Sequence, residues 1–126
     1  MNNKMTSQEI LSLAREVMYI ESDAIKNVAD LLNESFSDAC DLILRSKGKL
    51  ITIGIGKSGH IARKISATLS STGTSSFFIN AADASHGDLG MISPTDIILA
   101  MSYSGETQEL ISILPSLKKM NIKLIS

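Results

Sequence analysis

Two short segments carry the side chains best suited to chemistry. In Ile51-Thr52-Ile53-Gly54-Ile55-Gly56-Lys57-Ser58-Gly59-His60 an apolar run enters a glycine turn that holds a lysine and a serine where a helix should begin. The first amides of a helix lack intrahelical partners, glycine lets the backbone come close to a ligand, and the positive end of the helix dipole favours a phosphate. A cation at a helix start is electrostatically misplaced unless an anion joins it, so Lys57 points to a ligand. The second segment, Ser102-Tyr103-Ser104-Gly105-Glu106-Thr107, follows the apolar run Ile97 to Met101 and sets three aliphatic hydroxyls, Ser102, Ser104 and Thr107, around one glycine. Two such loops on one parallel sheet can converge on one ligand, hydroxyls and amides wrapping a phosphate while Lys57 and the acidic groups stay free for chemistry.

The elements that must hold these loops follow from apolar spacing. Ile10, Ala14, Val17, then Ala24, Val28, Leu31, then Phe36, Ala39, Leu42 and Ile43 recur at three- and four-residue steps, which predicts helix from about Ser7 to Ser46 in two pieces, broken near Ser22-Asp23 or Ser35-Ser37. So wide a stripe must bury against the domain's own sheet or against a second subunit. Beyond it the pattern alternates. Strands are expected at Lys49 to Ile53, Ser75 to Ile79 and Ile97 to Met101, and helices at about Ser58 to Ser71 and Thr107 to Met120. Strands apolar throughout belong to parallel sheets covered on both faces, so the class is α/β: a doubly wound parallel sheet flanked by helices, with leading N-terminal helices and ligands at the carboxyl ends of the strands. Small residues at Ala62, Ser66, Ala67 and Ser70 would let the first crossover helix approach the sheet. Pro115 predicts a kink, or a new helix starting there. Lys123-Leu124-Ile125-Ser126 reads as the opening of another parallel strand, so the sheet is expected to be incomplete at the C-terminus, as in the amino-terminal part of a longer protein or a truncated form that needs a partner.

Composition narrows the classes. At 126 residues, one modest domain is the expectation. With 20% charged residues and a net charge of −1, there is no electrostatic footprint for nucleic acid or an anionic membrane. The opening Met1-Asn2-Asn3-Lys4 and the residues after it hold no apolar run resembling a leader, and no stretch approaches a membrane span, so the expected location is cytoplasmic. Cys40 is the single cysteine and sits on the apolar stripe, where a small core residue is expected.

Two nucleotide-loop readings fail. Gly54-x-Gly56-x-x-Gly59 matches a dinucleotide fingerprint, but the second strand ends Phe78-Ile79-Asn80 with no acidic residue to hold a ribose. Gly56-Lys57-Ser58 has the ending of a Walker loop, yet the required earlier glycine would fall at Ile51. Taken together, Gly54 to His60, Ser71-Thr72-Gly73-Thr74, Ala84-Ser85-His86-Gly87-Asp88-Leu89-Gly90-Met91-Ile92 and Ser102 to Thr107 resemble the sugar isomerase (SIS) domain family, and within it the arabinose-5-phosphate isomerase branch. The resemblance runs from about Ser35 to Ser126, which divides the chain into a helical segment, 1–34, and the N-terminal part of a SIS phosphosugar-binding domain, 35–126.

That resemblance implies a fold, a reaction and a site. The reaction is interconversion of ribulose 5-phosphate and arabinose 5-phosphate through an enediol, without a cofactor, in synthesis of the octulosonate sugar of lipopolysaccharide or capsule. A phosphoheptose isomerase and a non-catalytic phosphosugar-binding regulator are the alternatives; residues 1 to 46 show none of the basic helix-turn-helix character such a regulator brings. Moving a proton between C1 and C2 needs a base and a group that stabilises the enediolate. Lys57 would supply charge at the oxyanion, Glu109 would serve as acid or base, and His86, in a glycine-flanked loop, would shuttle a proton or touch sugar hydroxyls. Glu109 rather than Glu106 is the match. Ser58, Ser102, Ser104 and Thr107, with Gly56 and Gly105, are the expected phosphate contacts, Gly73 and Thr74 touch substrate by analogy, and His60 is structural. Relatives often carry a histidine where this chain has Asn80, so no metal site is expected. The resemblance further implies a homo-oligomer, a carboxylate and a histidine from beyond residue 126, and often a pair of CBS modules.

Overall fold

The computed structural model describes residues 5–126; Met1-Asn2-Asn3-Lys4, the opening read above for a leader, lie outside the described residues. The chain divides into two compact units, Met1–Asp38 and Ala39–Ser126.

The first unit is built on α1 (Ser7–Leu31), a helix of 25 residues. Its start is a capping box: Thr6 Oγ1 accepts the Glu9 N–H at 3.3 Å, and the Glu9 carboxylate accepts the Thr6 N–H at 2.7 Å. Those bonds from the Thr6 backbone and hydroxyl hold the Glu9 carboxyl below the usual carboxylate range. None of the α1 residues is buried, and Ile10, Val17, Val28 and Leu31 are all exposed. Of the two expected places the break falls near the second, at Leu32-Asn33 just ahead of Ser35. The helix runs straight through Ser22-Asp23, Leu32 turns extended (φ −62°, ψ 134°), and Asn33 Oδ1 accepts the Ser35 N–H at 2.9 Å, so that α2 (Glu34–Leu44) starts just ahead of Ser35.

In the second unit β1 (Leu50–Gly54), β2 (Ser76–Asn80), β3 (Ile97–Ala100) and β4 (Lys123–Ile125) form one parallel sheet in the order β2-β1-β3-β4. Between them lie α3 (Gly56–Ser71), the single turn α4 (Ala81–Ala84), a 3₁₀ turn at Asp88–Met91 and α5 (Gln108–Lys119). Alternation along β1 assigns the two faces. Ile51 and Ile53, both fully buried, point with Ile79 and Ile98 into a core closed by Ala81 and Ala84 of α4 and Leu110, Ile113 and Leu117 of α5. Thr52 points the other way, where its hydroxyl donates to the Ala62 carbonyl of α3 at 2.9 Å. Ala62 and Ser66 give α3 the close approach expected of them; Ala67 and Ser70 are exposed instead, Ser70 bonding the Ser76 carbonyl at 2.6 Å. Cys40 on α2 is half-buried rather than a core residue.

Two further readings are corrected. Helix α3 begins at Gly56, not Ser58, because the Gly59 N–H already donates to the Ile55 carbonyl at 3.1 Å. Of the two expectations at Pro115, the new start is excluded, because α5 runs through it as one helix. An interior proline costs about 3 kcal/mol. Leu110, Ile113 and Leu117, on both sides of it, are nearly fully buried, and at roughly 1.5–3 kcal/mol each their burial exceeds that cost.

At the base of the sheet the buried Asp96 ties β3 to β1. Its carboxylate accepts the Lys49 N–H and the Ser93 N–H, each at 2.7 Å, which keeps the strand ends in register at the edge away from the loops of interest.

Candidate functional site

Strand order decides where a ligand belongs. From β1 the chain crosses to β2 on one side, and the next strand, β3, lies on the other, so the order reverses between β1 and β3. In open α/β sheets the crevice outside the carboxyl ends at such a switch point is the ligand site. Both predicted loops are there: β1 runs directly into Gly56-Lys57-Ser58, and β3 into Ser102 to Thr107, the two held together where the Met101 N–H donates to the Ile53 carbonyl at 2.8 Å.

Each loop leaves a helix start open. Ile55 caps α3 with no side-chain hydrogen bond, and Thr107 caps α5 in the same way. Gly56 adopts φ +56°, a left-handed conformation that costs a side-chain-bearing residue roughly 1–2 kcal/mol, and nothing lies within 4 Å of where a Cβ would stand. Its glycine therefore answers to backbone conformation, not crowding. Gly59 answers to crowding: a Cβ there would stand 3.1 Å from the Gly54 carbonyl oxygen, and its absence lets α3 sit against the end of β1.

The hydroxyls of the second loop are organised among themselves. Ser102 Oγ and Thr107 Oγ1 are 2.7 Å apart, Ser102 Oγ also accepts the Gly105 N–H at 3.0 Å, and Ser104 Oγ accepts the Glu106 N–H at 3.1 Å. Thr107 Oγ1 thus pairs with Ser102 Oγ rather than capping α5, and one of the pair's two protons lies in that bond. A serine that accepts a backbone N–H keeps its own proton to donate, so the loop presents hydroxyl donors beside the unpartnered amides of α5, which is what a phosphate requires.

The predicted residues distribute as follows. Gly56, Lys57 and Ser58 occupy the first turn of α3, with Lys57 exposed and Ser58 half-buried; Ser102, Ser104, Gly105 and Thr107 line the adjacent loop; Glu109 lies half-buried in the first turn of α5. All of these share one end of the sheet. His86 lies in the turn after α4, exposed, with its N–H donating to the Asp83 carbonyl at 2.9 Å. Gly73 and Thr74 are not brought to the site: they follow the far end of α3, where the Thr74 N–H closes on the Leu69 carbonyl at 2.9 Å, ahead of the first residue of β2. A 16-residue helix rises about 24 Å, which separates them from Lys57 by the depth of the sheet. Glu106 is a loop residue.

A neighbouring feature escaped the sequence reading. At the tips of β1 and β2, on the face covered by α3, an open cleft of about 250 Å³ is lined by Gly56, Gly59, His60, Arg63, Phe78 and Asn80. His60, expected to be structural, is exposed there. His60 and Arg63 are three residues apart on a helix, which places them on one face, but only the strand register brings Phe78 and Asn80 beneath them. Asn80 Oδ1 accepts the Ala82 N–H at 3.0 Å and caps α4. Among the described residues no group of three histidine, cysteine, aspartate or glutamate side chains could hold a metal ion.

A parallel sheet with two glycine- and hydroxyl-bearing loops meeting at its switch point is an anion-binding arrangement. The SIS domain model matches residues 43–126, and the chain belongs to that family. It is 44% identical over 124 residues to the arabinose 5-phosphate isomerase KdsD of Pseudomonas aeruginosa, covering 98% of this chain and 38% of that protein. To the enzyme of the same name from Yersinia pestis it is 50% identical over 111 residues, covering 88% of this chain and 34% of that protein. The chain therefore spans little more than a third of the length of these relatives. Among solved structures, an Escherichia coli CFT073 protein in complex with arabinose 5-phosphate superposes with a TM-score of 0.93 at 43% identity, covering 97% of this chain and 65% of that one. A Listeria monocytogenes protein gives 0.91 at 28% identity, covering 96% and 64%.

Proposed function

We propose that this chain provides the phosphate-binding loops and part of the acid–base apparatus of an aldose–ketose isomerase that interconverts ribulose 5-phosphate and arabinose 5-phosphate. The observation that carries the reading is the pairing of two uncapped helix starts, α3 and α5, on adjacent strands, with Lys57 in the first turn of one and Glu109 in the first turn of the other. The similarity to KdsD enzymes and to a structure in complex with arabinose 5-phosphate supports the choice of sugar.

In this mechanism the substrate phosphate sits between the loops. Ser58 and Ser104 donate hydroxyl hydrogen bonds, the Ser102–Thr107 pair donates the one proton its mutual bond leaves free, and amides near Gly56 and Gly105 complete the cradle. With one end fixed, the carbonyl end is presented to Glu109, which removes a proton from one carbon and returns it to its neighbour. Lys57 stabilises the enediolate oxygen as negative charge develops, and His86 moves the hydroxyl proton. The chemistry asks only for proton transfer and charge stabilisation. We place the enzyme in the cytoplasm as a homo-oligomer, with residues 1–34 a helical segment ahead of the phosphosugar-binding domain, feeding synthesis of the octulosonate sugar of lipopolysaccharide or capsule. No described helix is long and apolar enough to cross a membrane.

The test is kinetic. In the intact protein Glu109→Gln should lower kcat about 10²- to 10⁴-fold, the usual worth of a positioned acid–base group, and Lys57→Ala about 10²- to 10³-fold, with little change in substrate affinity. Losses confined to KM would reduce both residues to positioning roles.

A further inference from the structure

We propose that Arg63 is a further substrate-binding residue, holding the sugar end of the phosphosugar in the cleft at the tips of β1 and β2; this rests on the isomerase reading above. The guanidinium carbon of Arg63 lies 4.6 Å from the centroid of the Phe78 ring. A cation over a ring face is held there by the ring's quadrupole, and the guanidinium N–H donors that do not face the ring remain for a partner. No carboxylate takes that place: among the described residues Arg63 forms no ion pair.

The other polar groups of the cleft agree in character. Asn80 has spent its oxygen on the Ala82 N–H, so its amide NH₂ is what remains for a ligand. His60 presents an imidazole one turn before Arg63, and no acidic side chain lines the space. A cleft of donors is complementary to a ligand rich in acceptor oxygens, such as the hydroxyls of a sugar.

Position supplies the second argument. The phosphate loop follows β3, the cleft lies at β2, and β1 with Gly56 stands between them. Two strand spacings amount to roughly 10 Å. That is the order of length of a five-carbon sugar with its phosphate, so hydroxyls of a ligand anchored in the serine loop come within reach of the cleft across Gly56. At about 250 Å³ the cleft is smaller than a pocket for a whole drug-sized ligand, and suits one end of a small sugar.

Calorimetric titration of the intact protein with arabinose 5-phosphate and, separately, with inorganic phosphate tests this. Arg63→Met keeps the aliphatic stem on Phe78 and removes the donors. It should weaken arabinose 5-phosphate binding tenfold or more while phosphate affinity stays within twofold, because phosphate alone occupies only the serine loop. Arg63→Lys, a point charge without the planar fork, should recover less than half of the lost binding free energy; should Arg63→Met not melt cooperatively, Arg63→Lys is read against the wild type, and it too should weaken the sugar phosphate selectively. Arabinose 5-phosphate affinity within twofold of wild type, or both ligands weakened by one common factor, would overturn the role of Arg63. Wild-type protein that binds phosphate but not arabinose 5-phosphate would instead overturn the proposed function, and this is seen before any variant is made.

Discussion

Removal of the Ser102 hydroxyl is the sharpest probe of the phosphate loop, because that one atom serves three purposes. It lies 2.7 Å from Thr107 Oγ1, accepts the Gly105 N–H at 3.0 Å, and stands at the end of β3 where the phosphate is placed. In Ser102→Ala the lost contact to a charged phosphate costs about 1.5–3 kcal/mol. At 1.4 kcal/mol per factor of ten, that is roughly a 10- to 150-fold loss of affinity. The two loop bonds are partly solvated and water replaces much of what they supply, so loosening of the loop should add at most about another factor of ten. Titration with inorganic phosphate and with arabinose 5-phosphate should show both ligands weakened together, since the phosphate is common to both. Ser112→Ala is the control: its hydroxyl bonds the Glu109 carbonyl at 2.9 Å on an exposed part of α5, and it should change neither affinity. Because the loop is largely exposed, thermal stability should move little in either variant. Affinities within twofold of wild type for Ser102→Ala, at an unchanged melting temperature, would refute the assignment of this loop to phosphate.

Asp96→Ala should destabilise the sheet by about 2–5 kcal/mol, because it strands the Lys49 and Ser93 amides in a site where the residue is only 3% exposed, and Asp96→Asn should recover part of that by keeping one acceptor oxygen. Urea unfolding measures it, and a shift of midpoint corresponding to less than about 1 kcal/mol for Asp96→Ala would contradict the buried tie. Acidification should fray the start of α1. Since the folded-state pKa of Glu9 is held low by the Thr6 bonds, its contribution is fully present above the ordinary carboxylate range and is lost as pH falls through the lowered value. Protection factors for amide exchange at Glu9 and Ile10, which remove the intrinsic slowing of exchange in acid, should fall on that descent, and Glu9→Gln should remove most of this pH dependence.

The class of the fold and the location of its ligand loops are legible in the linear sequence because both are written in local chemistry. A strand apolar at every position, such as Ile97 to Ala100, excludes a half-solvated sheet, and a glycine turn bearing Lys57 and Ser58 at a strand end marks an anion site whatever lies around it. The helix boundaries were less accessible. The stop at Leu32 depends on the Asn33 side chain turning to the Ser35 amide, and the survival of α5 through Pro115 depends on three residues finding burial on a sheet built from distant segments. Local propensity carries no record of either.

The tertiary structure alone decided which loops become neighbours at that end of the sheet. The order β2-β1-β3-β4 sets the Lys57 and Ser102 loops side by side, and the length of α3 carries Gly73 and Thr74 away from them, although in sequence Thr74 is nearer to Lys57 than Ser102 is. It also created the cleft that holds Arg63. No window of sequence joins Arg63 to Phe78, since their contact exists only because β2 pairs with β1 beneath α3. Sequence determines what each segment can do to its own neighbours through backbone preference and charge; which segments become neighbours is set by the burial of Ile51, Ile53, Ile79 and Ile98 in one shared core, a property of the whole chain.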